Sequence, residues 1–251
     1  GNNCGNSTTG PGSNNTCTVT NASNVTVNNV NDAQIRNNVT STSNTGGNSA
    51  SNNTLGGSIV TGNASQNSTV SSVANVNTTN VTMGFGNGAG NTGLNSVTGP
   101  FSKNNAFITN SARVAVQNDN TASINNVVNA TADTGNNRAD NNTGPATIRT
   151  GNSLLNTLVG NHANDSLTQV SVSGAGTGGN TVGNSTTGPF SNNTASITNA
   201  ADATINNVND LLVNNNVTAR SRTGNNSASN NTLGGDIETG NASAGLVVDT
   251  E

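Results

Sequence analysis

Tryptophan and tyrosine are absent from this 251-residue chain, and phenylalanine occurs only as Phe85, Phe101, Phe107 and Phe190. With 29% hydrophobic residues, well below globular usage, a large mixed core is not expected. Charge is scarce as well, at 7% of residues with a net value of −4, so no basic surface exists to neutralise nucleic-acid phosphates or to dock on an anionic membrane. No apolar run approaches the roughly 20 residues a bilayer-spanning helix needs. The chain begins Gly-Asn-Asn without a signal-peptide pattern and reads as a soluble, mature or excerpted form.

Catalytic chemistry is poorly provided for. Eleven acids, seven bases and the single His162 leave few convergent titratable sets, and no nucleotide loop or GxSxG elbow is present. His162 lies in Gly160-Asn161-His162-Ala163 and reads as a surface residue, while Asp249 and Glu251 read as solvated terminal carboxylates. Neither an enzyme nor a cofactor is expected. The two cysteines, Cys4 and Cys17, do not have zinc-site spacing, and His162 cannot complete one. A disulfide between them is the preferred reading, and the alternative is that Cys17 is a small buried apolar residue like its counterparts Ala106 and Ala195.

Asn, Thr, Gly and Ser carry most of the chain. Such a composition ordinarily signals disorder, because too little apolar area is available to offset chain entropy. Order would have to come from dense backbone hydrogen bonding, side-chain amide ladders and assembly with other copies.

A tandem repeat supplies the means. Thr9-Gly10-Pro11 recurs as Thr98-Gly99-Pro100 and Thr187-Gly188-Pro189, a step of 98 − 9 = 89 and again 187 − 98 = 89. Thr61-Gly62-Asn63 recurs at the same step as Thr150-Gly151-Asn152 and Thr239-Gly240-Asn241. The units run 1–89, 90–178 and 179–251, the last without counterparts of the final 16 positions (89 − 73 = 16).

Within each unit a shorter rhythm places a small apolar or leucine residue, then a β-branched one, then Asn at alternate positions every eight residues. It reads Cys17-x-Val19-x-Asn21, Val25-x-Val27-x-Asn29 and Ala33-x-Ile35-x-Asn37 in the first unit. The second unit ends its pulses on Asn110, Asn118 and Asn126, and the third on Asn199, Asn207 and Asn215. A period of two means extended strands with one face inward. Asp32, Arg36, Arg113, Asp119, Asp202 and Asp210 all fall on the opposite parity, as an outward face requires. Helix is excluded, since no 3.6-residue stripe survives and Asn, Thr and β-branched residues are poor helix formers. Turn-rich stretches follow, such as Thr45-Gly46-Gly47-Asn48, where Gly and Asn tolerate left-handed backbone. Ile59, Ile148 and Ile237 are each expected in a short strand.

The expected fold is all-β: a β-solenoid-like stack of short strands with Asn ladders, the alternative being three tandem antiparallel β-sandwich units. In a stack, equivalent residues lie about 4.8 Å apart, so each side chain's main neighbour is its own counterpart. Like charges repel at that distance, whereas an Asn amide donates to one layer and accepts from the other. The inward Asn is read as a bend residue joining such a ladder, in coils of two or three eight-residue faces, with the turn-rich stretch resetting the register.

The runs Thr223-Gly224-Asn225-Asn226-Ser227-Ala228-Ser229-Asn230-Asn231-Thr232 and Ile237-Glu238-Thr239-Gly240-Asn241-Ala242 resemble those of secreted, Asn/Thr/Gly-rich repetitive surface proteins of bacteria and archaea. The likeness is one of composition and phrase over most of the chain. It implies a cell-surface fibre, sheath or stalk and adds nothing about chemistry.

Other binding chemistries fit less well. The repeated-Asp, nine-residue motif of calcium β-rolls is missing, and lectin platforms lack their Trp and Tyr. The ice-binding Thr rank fails because Thr18-x-Thr20 becomes Phe107-x-Thr109 and Ser196-x-Thr198. Asn-x-Ser/Thr sequons include Asn14, Asn24, Asn38, Asn52, Asn63, Asn192, Asn216 and Asn230, candidates for glycans, while an inward Asn21 could not carry one without disrupting its strand. The sequence therefore points to a structural protein, a subunit or ordered segment of an extracellular filament or cell-surface fibre. Other copies of itself are its expected partners, added head to tail so that a neighbour covers the edge of the incomplete third unit. A β-helical binding module, an adhesin or ice-binding protein, is the alternative.

Overall fold

The computed structural model describes residues 1–84, 90–173 and 179–251, so Phe85 and the ends of the first two repeats lie outside the described residues. The first repeat contributes β1 (Asn3–Thr9), β2 (Asn14–Asn44), β3 (Gly57–Val60), β4 (Ala64–Ala74) and β5 (Asn77–Gly84). The second contributes β6 (Thr92–Thr98), β7 (Lys103–Asp133), β8 (Ala146–Arg149), β9 (Ser153–Ala163) and β10 (Ser166–Ser173). From the third come β11 (Thr181–Thr187), β12 (Asn192–Arg222), β13 (Gly235–Glu238) and β14 (Ala242–Thr250). The described residues include no helix.

Every sheet joins strands of different repeats: β1-β6-β11, β10-β5, β12-β7-β2, β13-β8-β3 and β14-β9-β4. Register is constant at 89 residues. Ile59 aligns with Ile148 and Ile237 in parallel four-residue strands, and Val70 with Val159 and Val248. Each repeat is thus one layer of a parallel stack, and an antiparallel sandwich inside each repeat is excluded. Equivalent residues form columns: Thr9, Thr98 and Thr187 are one such column.

Two expectations are corrected by this arrangement. The stack is not made of short coils with eight-residue faces, because the three pulses of each repeat lie in a single unbroken strand of 31 residues. Nor are Asn21, Asn29 and Asn37 bend residues; all three sit inside β2 with their neighbours extended. An Asn side chain that is hydrogen-bonded along the stack does not have to fold back on its own backbone, and so it does not turn the chain.

The chain divides into two compact units, each drawing on all three repeats. Unit 1 comprises residues 1–31, 77–120 and 166–208. Its core is formed where the N-terminal halves of β2 and β7 face β5 and β10. Ala112, Val114 and Val116 pack on Val81 and Met83, with Val25, Val27, Val170 and Val172 at the margin. Unit 2 comprises residues 32–76, 121–165 and 209–251. There Ala130 and Ala132 face Ala64 and Leu155, and Val128 faces Val70 and Val159. Ile59 and Ile148 pack with Ala139 and Ala146.

The bends of unit 2 are as regular as its strands. Gly47, Asn136 and Asn225 share one column and have φ of 80°, 62° and 65°, the left-handed region that Gly and Asn enter at least cost. One column earlier, a Cβ on Gly46 would collide with the Gly135 carbonyl oxygen, and one on Gly135 with that of Gly224. Glycine is required there because the backbones of successive layers touch.

Candidate functional site

The second layer is enclosed and the outer two are not. Asn110, Asn118 and Asn126 are fully buried in β7, their first-layer counterparts Asn21, Asn29 and Asn37 are half-buried, and Asn199 and Asn207 in β12 are exposed, with Asn215 half-buried. Burying three uncharged amides is costly unless their hydrogen bonds are made. They are made along the stack: Asn21 donates to Asn110 and Asn110 to Asn199 at 2.9 and 2.7 Å. Asn29 donates to Asn118 and Asn118 to Asn207 at 2.7 and 2.6 Å. Asn37 donates to Asn126 and Asn126 to Asn215 at 2.7 and 2.8 Å.

Inward parity predicts those three ladders, but the sequence rhythm misses others outside it. Asn6, Asn95 and Asn184 form one between β1, β6 and β11, and Asn15, Asn104 and Asn193 another at the start of the long strands. In the bend of unit 2, Asn48 and Asn137 each use both the backbone N–H and the amide to donate to the next layer's Asn carbonyl. A recurring Asn in one column is the signal that would have found them.

All of these ladders run one way, each amide N–H donating toward the C-terminal layer. Among the described residues, the Asn29 and Asn37 carbonyl oxygens accept nothing, and the Asn207 and Asn215 amide N–H groups donate to nothing. The first layer therefore ends in acceptors and the third in donors, in the same two columns.

Charge also reads vertically. Arg113 lies 3.6 Å from Asp202, Arg149 3.4 Å from Glu238 and Arg222 3.9 Å from Asp133, each pair in one column on adjacent layers. Most of these groups are exposed and each pair contributes about 0–1 kcal/mol, so they act more on register than on stability. His162 is partly exposed, 3.8 Å from both Asp165 and Glu251. Asp249 and Glu251 are exposed.

Asp140, which no sequence pattern had singled out, is the one buried carboxylate among the described residues. The backbone N–H of Ser229 at 2.6 Å, the Ser227 hydroxyl at 2.7 and 3.0 Å and the Arg138 guanidinium at 2.7 Å hold its carboxyl below the usual carboxylate range. Its column contains Ser51 and Ser229, so one acid joins three layers; its own N–H donates to the Ser51 hydroxyl. The carboxylate thus clamps adjacent layers together.

Cys4 and Cys17 are joined by a disulfide with Cα atoms 5.7 Å apart, tying β1 to β2 in the first layer, and Cys17 is also buried. The sequon residues Asn14, Asn24, Asn38, Asn52, Asn63, Asn192, Asn216 and Asn230 are all exposed. Asn52 and Asn230 occupy left-handed bends, and the Asn63 carbonyl already accepts from the Asn152 backbone. No group of three or more His, Cys, Asp or Glu among the described residues is placed to hold a metal ion, and no described helix is long and apolar enough to cross a membrane.

Stacked parallel sheets held by Asn side-chain ladders define a solenoid-like β protein. No family model, curated protein or solved structure matches the chain.

Proposed function

We propose that the chain is a structural protein, a subunit or ordered segment of an extracellular filament or cell-surface fibre to which copies add head to tail. The observation that carries this reading is the polarity of the Asn ladders. A third layer ending in amide donors matches, column for column, a first layer ending in carbonyl acceptors. A second copy placed one further 89-residue step along the stack would continue Asn207 onto its Asn29 and Asn215 onto its Asn37. Such an interface is heterologous and propagates without closing.

Apolar surface supports the same reading. Inward residues of the third layer lie open, with Ile197 at 40% and Ile237 at 42% exposure, against 1% and 0% for their second-layer counterparts Ile108 and Ile148. The strand edges of β11 to β14 on one side and β1 to β4 on the other are unpaired templates of the kind that elongate. A disulfide in a chain this polar supports an oxidising, extracellular setting. Exposed sequons support surface glycosylation in that setting.

One column opposes addition. Asp210 of the third layer would meet Asp32 of the next copy about 4.8 Å away, a repulsion of about 1 kcal/mol in water. The test is light scattering with negative-stain electron microscopy across a concentration series. Linear polymers are expected, and Asp210→Asn should lower the concentration at which they form by roughly fivefold. Ile197→Lys should abolish them. A monodisperse single chain at every concentration, for both the native protein and Asp210→Asn, overturns the reading.

A further inference from the structure

The bend between β6 and β7, with its counterparts in the other two layers, is built differently from the bends of unit 2. Every described left-handed residue of unit 2 is Gly or Asn, whereas this bend of unit 1 holds Gly12, Phe101 and Phe190 in one column at φ of 69°, 59° and 61°. A bulky side chain there is a backbone outlier, and such outliers cluster at binding and catalytic sites. Core packing does not account for these rings. Phe101 belongs to the enclosed second layer yet is 68% exposed, in a chain with only four aromatic residues.

We infer that Phe101 is the wall of a binding site for an uncharged aromatic side chain carried by a partner polypeptide. The chain supplies its own example of what fits. Phe190 stacks on the third-layer side of Phe101, with ring centroids 5.3 Å apart and planes within 10°, a separation that aromatic pairs prefer. On the first-layer side the same column holds Gly12, so a place one layer deep, the depth that Phe190 takes on the other side, contains no side chain. The column has room for one. Phe101 itself carries a Cβ between two neighbouring layers, and a Cβ on Gly12 would meet no atom within 4 Å.

Charge selects among occupants. Residues 7–13, 96–102 and 185–191 around the bend include no charged group, and the first charge beyond it in the second layer is Lys103. A cation stacked on the ring would meet that lysine, and a base on a polyanion finds no basic surface, so an uncharged ring is favoured. Covering the open face of Phe101 supplies the driving force. Phe101 and Gly12 lie in the first two layers of one chain and both in unit 1. The site is therefore separate from head-to-tail addition, and the two can fail independently.

The test is fluorine magnetic resonance on the full chain carrying 4-fluorophenylalanine at its four Phe positions. Titration with N-acetyltryptophanamide, a capped aromatic residue, should move the Phe101 resonance saturably, with a dissociation constant on the order of 1 mM. N-acetylcyclohexylalaninamide, which has the bulk of a ring without its π face, should bind at Phe101 roughly fivefold more weakly than N-acetylphenylalaninamide. Gly12→Phe should remove the response at Phe101, because the chain's own ring then fills the place in a backbone conformation that Phe101 and Phe190 already adopt. A Phe101 resonance unmoved by the probe, equal affinity for the two ring amides, or an undiminished response in Gly12→Phe would each overturn the proposal; the first two need no variant to fold. Tighter binding of adenosine or of a methyl glucoside at Phe101 would overturn it as well, by assigning the place to a base or a sugar.

Discussion

Replacing Asn118 with alanine tests whether the amide ladder stabilises the stack or merely decorates it. Asn118 is fully buried in the second layer. It accepts from Asn29 at 2.7 Å, donates to Asn207 at 2.6 Å and donates to the Thr168 hydroxyl at 2.8 Å. At a net value of about 1 kcal/mol per hydrogen bond, losing three costs about 3 kcal/mol. The alanine also leaves a small void that the packed layers cannot fill, which moves the total upward. Asn207→Ala removes an amide in the same column of the third layer, where it is exposed and makes one ladder bond, so less than about 1 kcal/mol is expected because water replaces the lost partner. Urea denaturation of both variants, followed by far-ultraviolet circular dichroism at constant slope, reads the difference directly. The comparison holds residue type and column fixed and varies only the layer. Equal losses for the two variants would refute the view that burial gives the ladder its value.

Two further perturbations address the clamps at either end of the chemistry. Cys4→Ser with Cys17→Ser should cost about 3 kcal/mol by the loop-closure relation for a separation near 13 residues, and reducing agent should reproduce the loss in the native chain but not in the variant; an unchanged midpoint in both would remove the disulfide from the account of stability. Asp140 should make stability acid-sensitive. Its folded pKa is depressed below 3.8, so its contribution is fully present above that value and is lost as pH falls through the folded value. The gap in urea midpoint between the native chain and Asp140→Asn should therefore be wide at pH 6 and narrow progressively as pH falls below 3.8, and a gap independent of pH would contradict the assignment.

Much of the fold was legible because its repeat is nearly perfect. Parity alone placed Val114, Val116 and Ile124 inward and Arg113 outward, and the short strands around Ile59, Ile148 and Ile237 followed from apolar residues set between Gly-rich bends. What stayed hidden was the meaning of the eight-residue pulse. Strands usually run 3–10 residues, so the pulses suggested coils of two or three faces, whereas β2 is one unbroken strand of 31 residues. Local sequence cannot distinguish these cases, because an extended residue looks the same whether or not the chain bends eight positions later. Pairing across 89 residues is equally silent in any short window. The signal lies in columns: Arg113 above Asp202, Arg149 above Glu238 and Asp133 beside Arg222 are opposite charges one repeat apart, and they could have named each repeat as a single layer.

Column chemistry also explains how so polar a chain becomes ordered. An isolated Asn-rich segment gains little by folding, because its amides are already satisfied by water. Within the stack the balance changes at the second layer, where Asn110, Asn118 and Asn126 lose water on all sides and regain donors and acceptors from two neighbours at once. The first and third layers obtain only half of that exchange, so stabilisation per layer rises with each layer added while the number of open faces stays at two. Repeat proteins in general behave in this nearest-neighbour way. For this chain it means that the two outer layers are the least stable part of each unit, and that a further layer covering them stabilises residues it never touches.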